Sequence, residues 1–229
     1  AVRDIRRAAA PVPVLVGGRT ATQIDEKASL ARHLPLAAGV IALTTIAVLF
    51  LMTGSVVLAL VSVLLNMLTL GATLGILTMG FQRGLLEGPL NFTSIGGVST
   101  TQPILVAAFA FGLSTDYGVF LLSRIAEERS RGLAHREAVP VGLEHTGRIV
   151  TAAAVLFVIA IGAFASSRIV IIKELGVGTA LAVLLDATIV RALLLPGLLA
   201  MLGERSWWSP RVLERLRHRL PVHDRAAAV

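Results

Sequence analysis

Asp116 and Tyr117 stand side by side at the centre of FGLSTDYGVFLLSR (Phe111–Arg124), toward the inner end of the apolar stretch Ile104–Leu122, and Tyr117 is the only tyrosine in the chain. An Asp at the centre of a bilayer-spanning helix costs roughly 2.5–3.5 kcal/mol on insertion scales. Residues that costly usually lie on an ion or substrate pathway. Burial and a nearby arginine push a carboxyl in opposite directions, and together they hold it near the point of loading and unloading a proton. The chemistry expected here is a proton relay in which the Tyr117 hydroxyl donates to the carboxylate and Ser114 and Thr115 hold water beside it.

A second pair of charges, Asp186 and Arg191, lies in another apolar run, Gly178–Leu202. Residues five apart on an ideal α-helix point about 140° away from each other, so these two are expected to be poor partners. Counted at the helix rise from the inner edges of their spans, Asp116 lies about 12 Å deep, Arg191 about 18 Å and Asp186 about 25 Å. Arg191 is therefore expected to reach across to Asp116 and Tyr117, while Asp186 finds hydroxyl or backbone partners.

The elements that must position these groups are membrane helices. Hydrophobic residues make up 55% of 229 without counting glycine, charged residues only 15%, and mean hydropathy is +0.80. A soluble domain carries about 25% charge. A span needs about 20 apolar residues. Five stretches qualify: Leu34–Met52, opened by Pro35 as a first-turn proline, then Val56–Phe81, Ile104–Leu122, Ile149–Ala165 and Gly178–Leu202 with Pro196 as a kink. Thr53-Gly54-Ser55 makes a tight turn between the first two. Residues 1–33 read as part of an exported domain, with a strand at Val12–Val16, a turn at Gly17-Gly18 and a short helix at Ile24–Arg32. The first residues carry no signal-peptide series, and the chain reads as the tail end of something longer.

Arginines set the expected orientation. The loop Arg124–Arg148 holds five, and the tail 204–229 holds Arg205, Arg211, Arg215, Arg217, Arg219 and Arg225. The positive-inside rule makes both cytoplasmic. Trp207-Trp208 suit the headgroup zone, and Val212, Leu213, Leu216 and Leu220 share a helical face opposite the basic side chains, so an interfacial helix on anionic lipid is expected.

Several chemistries are disfavoured. The absence of cysteine removes disulfides, thiolate metal sites and thiol nucleophiles. The five histidines fall outside the spans and lack metal spacing, so no metal or cofactor is expected. The net charge of +7 sits between apolar runs, which suits a bilayer and not nucleic acid. An aspartyl protease needs two carboxylates in contact, and Asp116 and Asp186 differ by about 13 Å in depth from the helix rise. No enzyme activity is expected. Asn66, with Thr69, Thr73 and Thr78, reads as helix–helix glue, and Gly71–Gly75 is a GxxxG spacing.

FGLSTDYGVFLLSR, HTGRIVTAAA (His145–Ala154), KELGVGTALAVLLDATIVRALLLPGLLAMLG (Lys173–Gly203) and the following WW resemble the last membrane helices of the MMPL family of the resistance–nodulation–division (RND) superfamily. VGGRTATQIDEKASLARHLP (Val16–Pro35) is similar to the end of that family's second periplasmic porter domain. The resemblance implies an all-α integral membrane protein: helices eight to twelve of a twelve-helix, proton-motive-force-driven exporter of lipids or other hydrophobic molecules, in a bacterial plasma membrane. It implies a proton relay of Asp116, Tyr117, Asp186 and Arg191, with Phe120 one turn beyond the Asp-Tyr pair. The partners implied are membrane lipids, a hydrophobic substrate, protons and the N-terminal half of the transporter, which carries a matching Asp-Tyr pair. Gly118 stands where the family often has an acid, and Met52–Ser55 where an Arg-Ser is common. A membrane scaffold or truncated remnant would share the same fold without transport.

Overall fold

The computed structural model describes residues 16–93 and 101–218, together with Val2 and Arg6. Among them there is no strand. The chain divides into two units, Ala1–Ala42 and Leu43–Val229. Among the described residues five helices are long and apolar enough to cross a membrane, and the protein is a multi-pass all-α membrane protein.

Helix α1 runs Arg19–Thr53, starting in the first unit and ending in the second. It fuses the short helix expected at Ile24–Arg32 with the first span. Pro35 lies inside it and not at its start. A proline removes one backbone donor from a helix interior. The flanking residues, DEKASLAR before it and LAAG after it, are good helix formers and carry the ladder past that gap. The turn expected at Gly17-Gly18 is present, with Gly18 at φ +104°. The strand expected at Val12–Val16 falls, apart from Val16, outside the described residues. In the first unit the Arg6 guanidinium grips the Asp25 carboxylate and donates to the Val16 carbonyl at 3.1 Å.

Helix α2 covers Val56–Leu77 and continues as a π-helical turn, Thr78–Gln82. Ser55 caps its N-terminus, accepting from the Leu58 N–H at 3.2 Å and donating to the Ser206 carbonyl at 2.5 Å. That contact ties the first hairpin to the C-terminal end of the last span. A short helix α3, Glu87–Leu90, precedes α4, Thr101–Ser130. Helix α5 runs His135–Gly162 and ends in a 3₁₀ turn, Ala163–Ser166. The stretch Arg124–Arg148, expected as a loop, is thus almost wholly helical. The connection is a turn at 131–134, with Gly132 at φ +96°. Its arginines ride on polar extensions of α4 and α5, where Arg131 pairs with Glu127 and Glu128 at 2.7 Å and Arg124 with Glu127 at 2.6 Å.

The last span is composite. Helix α6, Val170–Leu185, passes into a π-helix, Asp186–Leu194, and then into α7, Leu195–Leu202. A 3₁₀ turn, Gly203–Trp207, leads to α8, Arg211–His218. Helix α8 is where the interfacial helix was expected, and Trp208, Val212 and Leu213 are exposed; Leu220 lies outside the described residues. Trp207 instead turns inward. Its indole N–H donates to His135 Nδ1 at 2.8 Å, which leaves the other ring nitrogen of His135 to donate to the Leu199 carbonyl at 2.8 Å.

One core cluster joins Leu49, Leu58, Leu65, Leu122, Ile125, Val190, Leu195 and Leu199 at one end of the bundle. A smaller one joins Leu77, Phe81 and Val106 at the other. Helices α4 and α5 approach closely at Gly142, where an added Cβ would sit 3.0 Å from the Ile125 Cα and 3.1 Å from its backbone nitrogen. Backbone cannot give way as a side chain can. Gly142→Ala should therefore destabilise the bundle by roughly 1–3 kcal/mol, read as a lowered unfolding midpoint in detergent. The GxxxG spacing at Gly71–Gly75 brings no helix close among the described residues: both glycines are exposed, with nothing described within 4 Å of an added Cβ.

Candidate functional site

The site is built on three spans. Helix α2 supplies Asn66 and Ser62, α4 supplies Ser114, Tyr117 and Gly118, and the π-helix supplies Asp186 and Arg191. At its centre the Arg191 Nε–H donates to Asp186 Oδ2 at 2.6 Å, with the two side chains 7% and 4% exposed. This corrects the expectation that Asp186 and Arg191 are poor partners. In an α-helix they would diverge. In a π-helix the hydrogen bonds run from i to i+5, so residues five apart stack on one face. The wider turn Asp186–Leu194 is what makes them a pair.

Ser114 is the hinge of the cluster. Its hydroxyl lies 2.7 Å from Asp186 Oδ1 and 2.6 Å from the Asn66 amide oxygen position. A hydroxyl has one proton to give. A carboxylate is the stronger acceptor, so the proton goes to Asp186. The Asn66 amide is then consistent with its NH₂ turned to Ser114 and its carbonyl to the Thr115 hydroxyl, 3.3 Å away. Arg191 Nη2 donates to the Ser114 carbonyl and lies 3.2 Å from its hydroxyl. The guanidinium also sits 5.9 Å over the Tyr117 ring, within cation–π range. Arg191 therefore does reach the third span, but through Ser114 and Tyr117 and not through Asp116. Asp186 does find a hydroxyl partner.

Gly118 admits the guanidinium. A Cβ there would lie 3.2 Å from Arg191 Nη1 and 3.4 Å from Ser62 Oγ. A cavity of about 10 Å³ opens beside it, bounded by Ser62, Asn66, Gly118, Asp186 and Arg191. That is the lower limit for one water, and the polar partners it needs are present.

Asp116 stands apart. It is exposed, and it makes no hydrogen bond or ion pair among the described residues. Phe120, one turn on, is exposed on the same side and packs under the Arg124 guanidinium at 5.8 Å, away from the Asp186–Arg191 pair. The two carboxylates thus stand in opposite surroundings. Asp186 is buried and fully partnered, while Asp116 offers its charge outward from the middle of a span. Asn66, read from sequence as glue, is a member of the site; Ser62 and the space at Gly118 were not foreseen. The signal for Ser62 and Asn66 is their spacing of four on one face of an apolar helix.

A family model described as the MMPL family matches residues 1–223. The chain is 43% identical over 225 residues to a putative membrane protein of Streptomyces coelicolor, covering 98% of this chain and 32% of that protein. It is 44% identical over 215 residues to the trehalose monomycolate exporter MmpL3 of Mycobacterium tuberculosis (strain H37Rv), covering 93% and 22%. It is 38% identical over 201 residues to the mycolic acid-containing lipids exporter MmpL11 of Mycolicibacterium smegmatis, covering 88% and 21%. The chain spans about a third or less of the length of these relatives.

Proposed function

The chain belongs to the MMPL family, and from that premise we propose that it forms the last five membrane helices of a proton-motive-force-driven exporter of lipids or other hydrophobic molecules. Its work is to convert protonation into helix movement. Asp186 carries the charge that Arg191 and Ser114 hold in place. A proton on Asp186 removes the anion from under Arg191, and the guanidinium then keeps only the Ser114 and Tyr117 contacts on α4. The balance between the last span and α4 shifts with each proton. The available drive is about 2.3 kcal/mol per charge per 100 mV.

The observation that carries this reading is the buried Asp186–Arg191 pair on a π-helix in mid-span. Ionisable groups at that depth are functional by default, and π-helical turns gather at functional sites. The outward face of Asp116 and Phe120 is where the seven other helices of the exporter dock, bringing the matching Asp-Tyr pair. Residues 1–33 complete the second porter domain, the C-terminal tail is cytoplasmic in a bacterial plasma membrane, and α8 lies on anionic lipid. No enzymatic step and no metal or cofactor is assigned.

The test uses the full-length gene product reconstituted in proteoliposomes with an imposed pH gradient. A long-chain glycolipid should move only while the gradient lasts, and Ser114→Ala should slow it about tenfold, the size of one lost hydrogen bond to a charge. Undiminished movement after the gradient is collapsed would leave a scaffold or remnant as the better reading.

A further inference from the structure

Five threonines of this bundle satisfy their hydroxyls by bonding back one turn. Thr53, Thr69, Thr78, Thr146 and Thr188 each donate to the carbonyl four residues earlier, at 2.6–3.1 Å. Thr73 and Thr179 do not. They are 0% and 1% exposed, and their hydroxyls have no partner among the described residues. The same bond to the i−4 carbonyl is open to any helical threonine. A buried hydroxyl left unpaired costs about 1–3 kcal/mol, and native proteins commonly meet such a group with water.

Their placement is specific. Thr73 lies seven residues outward from Asn66 on α2, and Thr179 seven residues outward from Asp186 on α6. Seven residues bring a helix back to within about 20° of the same face and advance it about 10 Å. Both hydroxyls thus sit above the site, on the faces that form it. Gly178 on α6 packs against the Leu77 side chain of α2, where a Cβ would lie 2.6 Å from the Leu77 Cδ1. From that contact the helix rise puts the two threonines within about 5 Å of each other in depth. Buried side chains inward of them include the small Ala110 on α4 and Ala182 on α6 beside Val183 and Thr69.

Above them stand Glu174 and Gln102, both buried. Gln102 donates to the Ile171 carbonyl. Lys173, the nearest cation in sequence, is turned away: its amino group binds the carbonyls of Leu90 and Asn91 at the end of α3. Glu174 therefore makes no ion pair among the described residues. Between this carboxyl and the threonines, Val106 and Leu77 close the core.

We propose that Glu174, Thr179 and Thr73 line an outer proton path that feeds Asp186. The inference rests on the proton-driven reading above for its purpose, though not for its geometry. Glu174 takes a proton from the outer solution and passes it to water. Each threonine hydroxyl accepts one proton and releases its own, so neither changes state. The proton ends on Asp186, and Glu174 returns to carboxylate. Val106 and Leu77 are the dry constriction of the path, and it opens by fluctuation of the bundle without a transport cycle.

This chain has no cysteine, so single Thr73→Cys and Thr179→Cys substitutions can be made in the full-length product after any cysteines elsewhere are replaced by serine. A small cationic methanethiosulfonate reagent reacts only with hydrated thiolate. Both positions should label at least roughly tenfold faster than Thr146→Cys, an equally buried control whose native hydroxyl is back-bonded. Rates at Thr73→Cys and Thr179→Cys no faster than at Thr146→Cys would show no selective hydration there and overturn the path. As a second measurement, Thr179→Val and Glu174→Gln should each slow proton uptake into proteoliposomes about tenfold while Thr146→Val does not; no slowing in either overturns it too. Labelling needs no transport. A hydrated Thr73 and Thr179 in a protein that moves no lipid would leave the path standing and remove the exporter reading alone.

Discussion

Arg191→Met should unfold the five-span bundle at a markedly lower denaturant concentration, at a cost of about 3–5 kcal/mol. The guanidinium makes three kinds of contact at once: a 2.6 Å ion pair with Asp186, bonds to the carbonyl and hydroxyl of Ser114, and a cation–π contact with Tyr117. Removing it leaves a carboxylate buried in the bilayer core with only the Ser114 hydroxyl for company. That orphaned charge, more than the lost contacts, sets the cost. The double variant Asp186→Leu with Arg191→Met removes both charges and should recover most of the loss, because replacing a whole buried pair with apolar groups is often near neutral. Thermal and SDS unfolding of the chain in lipid micelles would measure both. A single variant as stable as the parent, or a double variant no better than the single, would mean that the pair does not hold these helices.

Stability and function part company here. The double variant should restore folding and not transport, since it has no titrating group between α4 and the last span. A static ion pair that only fixed helix packing would predict the opposite: recovery of both.

The five spans were legible because a run of apolar residues long enough to cross a bilayer has few other uses. Their ends were not. The polar stretches at Arg19–His33 and His135–Arg148 continue as helix beyond the apolar runs, and hydropathy sees only the apolar part. Pro35 misled for a related reason: the first-turn preference of proline is strong, but a long helix tolerates one missing donor. The pairing of Asp186 with Arg191 was hidden by the assumption of α-geometry. Nothing in DATIVRALL marks a π-helix by composition; the wider turn is fixed by what it must fit, a guanidinium between Gly118, Ser62 and Ser114. The charged members of the candidate site were legible as candidates, because charge in an apolar run stands out. Which way each one faces was not, since α4 is apolar on nearly every side and its periodicity carries no direction.

Asp116 tests that distinction between identity and direction. Asp116→Asn should abolish proton-coupled lipid movement in the full-length product, by about a hundredfold or more, and leave the stability of this bundle within roughly 0.5 kcal/mol of the parent. The stability half follows from geometry: the carboxylate is exposed on the bundle surface and bonds to nothing among the described residues, so exchanging it for an isosteric amide breaks no contact. The activity half follows from cost. A charge placed mid-span with no partner in its own bundle is expensive in lipid, and the helices proposed to pack against α4 at Asp116 and Phe120 supply the missing partner. The amide keeps the shape and loses the proton. Unfolding measured on the chain alone and lipid flux measured on the full-length product separate the two halves. A large loss of stability would mean that Asp116 pairs within this bundle. Unchanged flux would mean that the proton is carried by Asp186 alone, with Asp116 a docking contact between the two halves of the membrane domain.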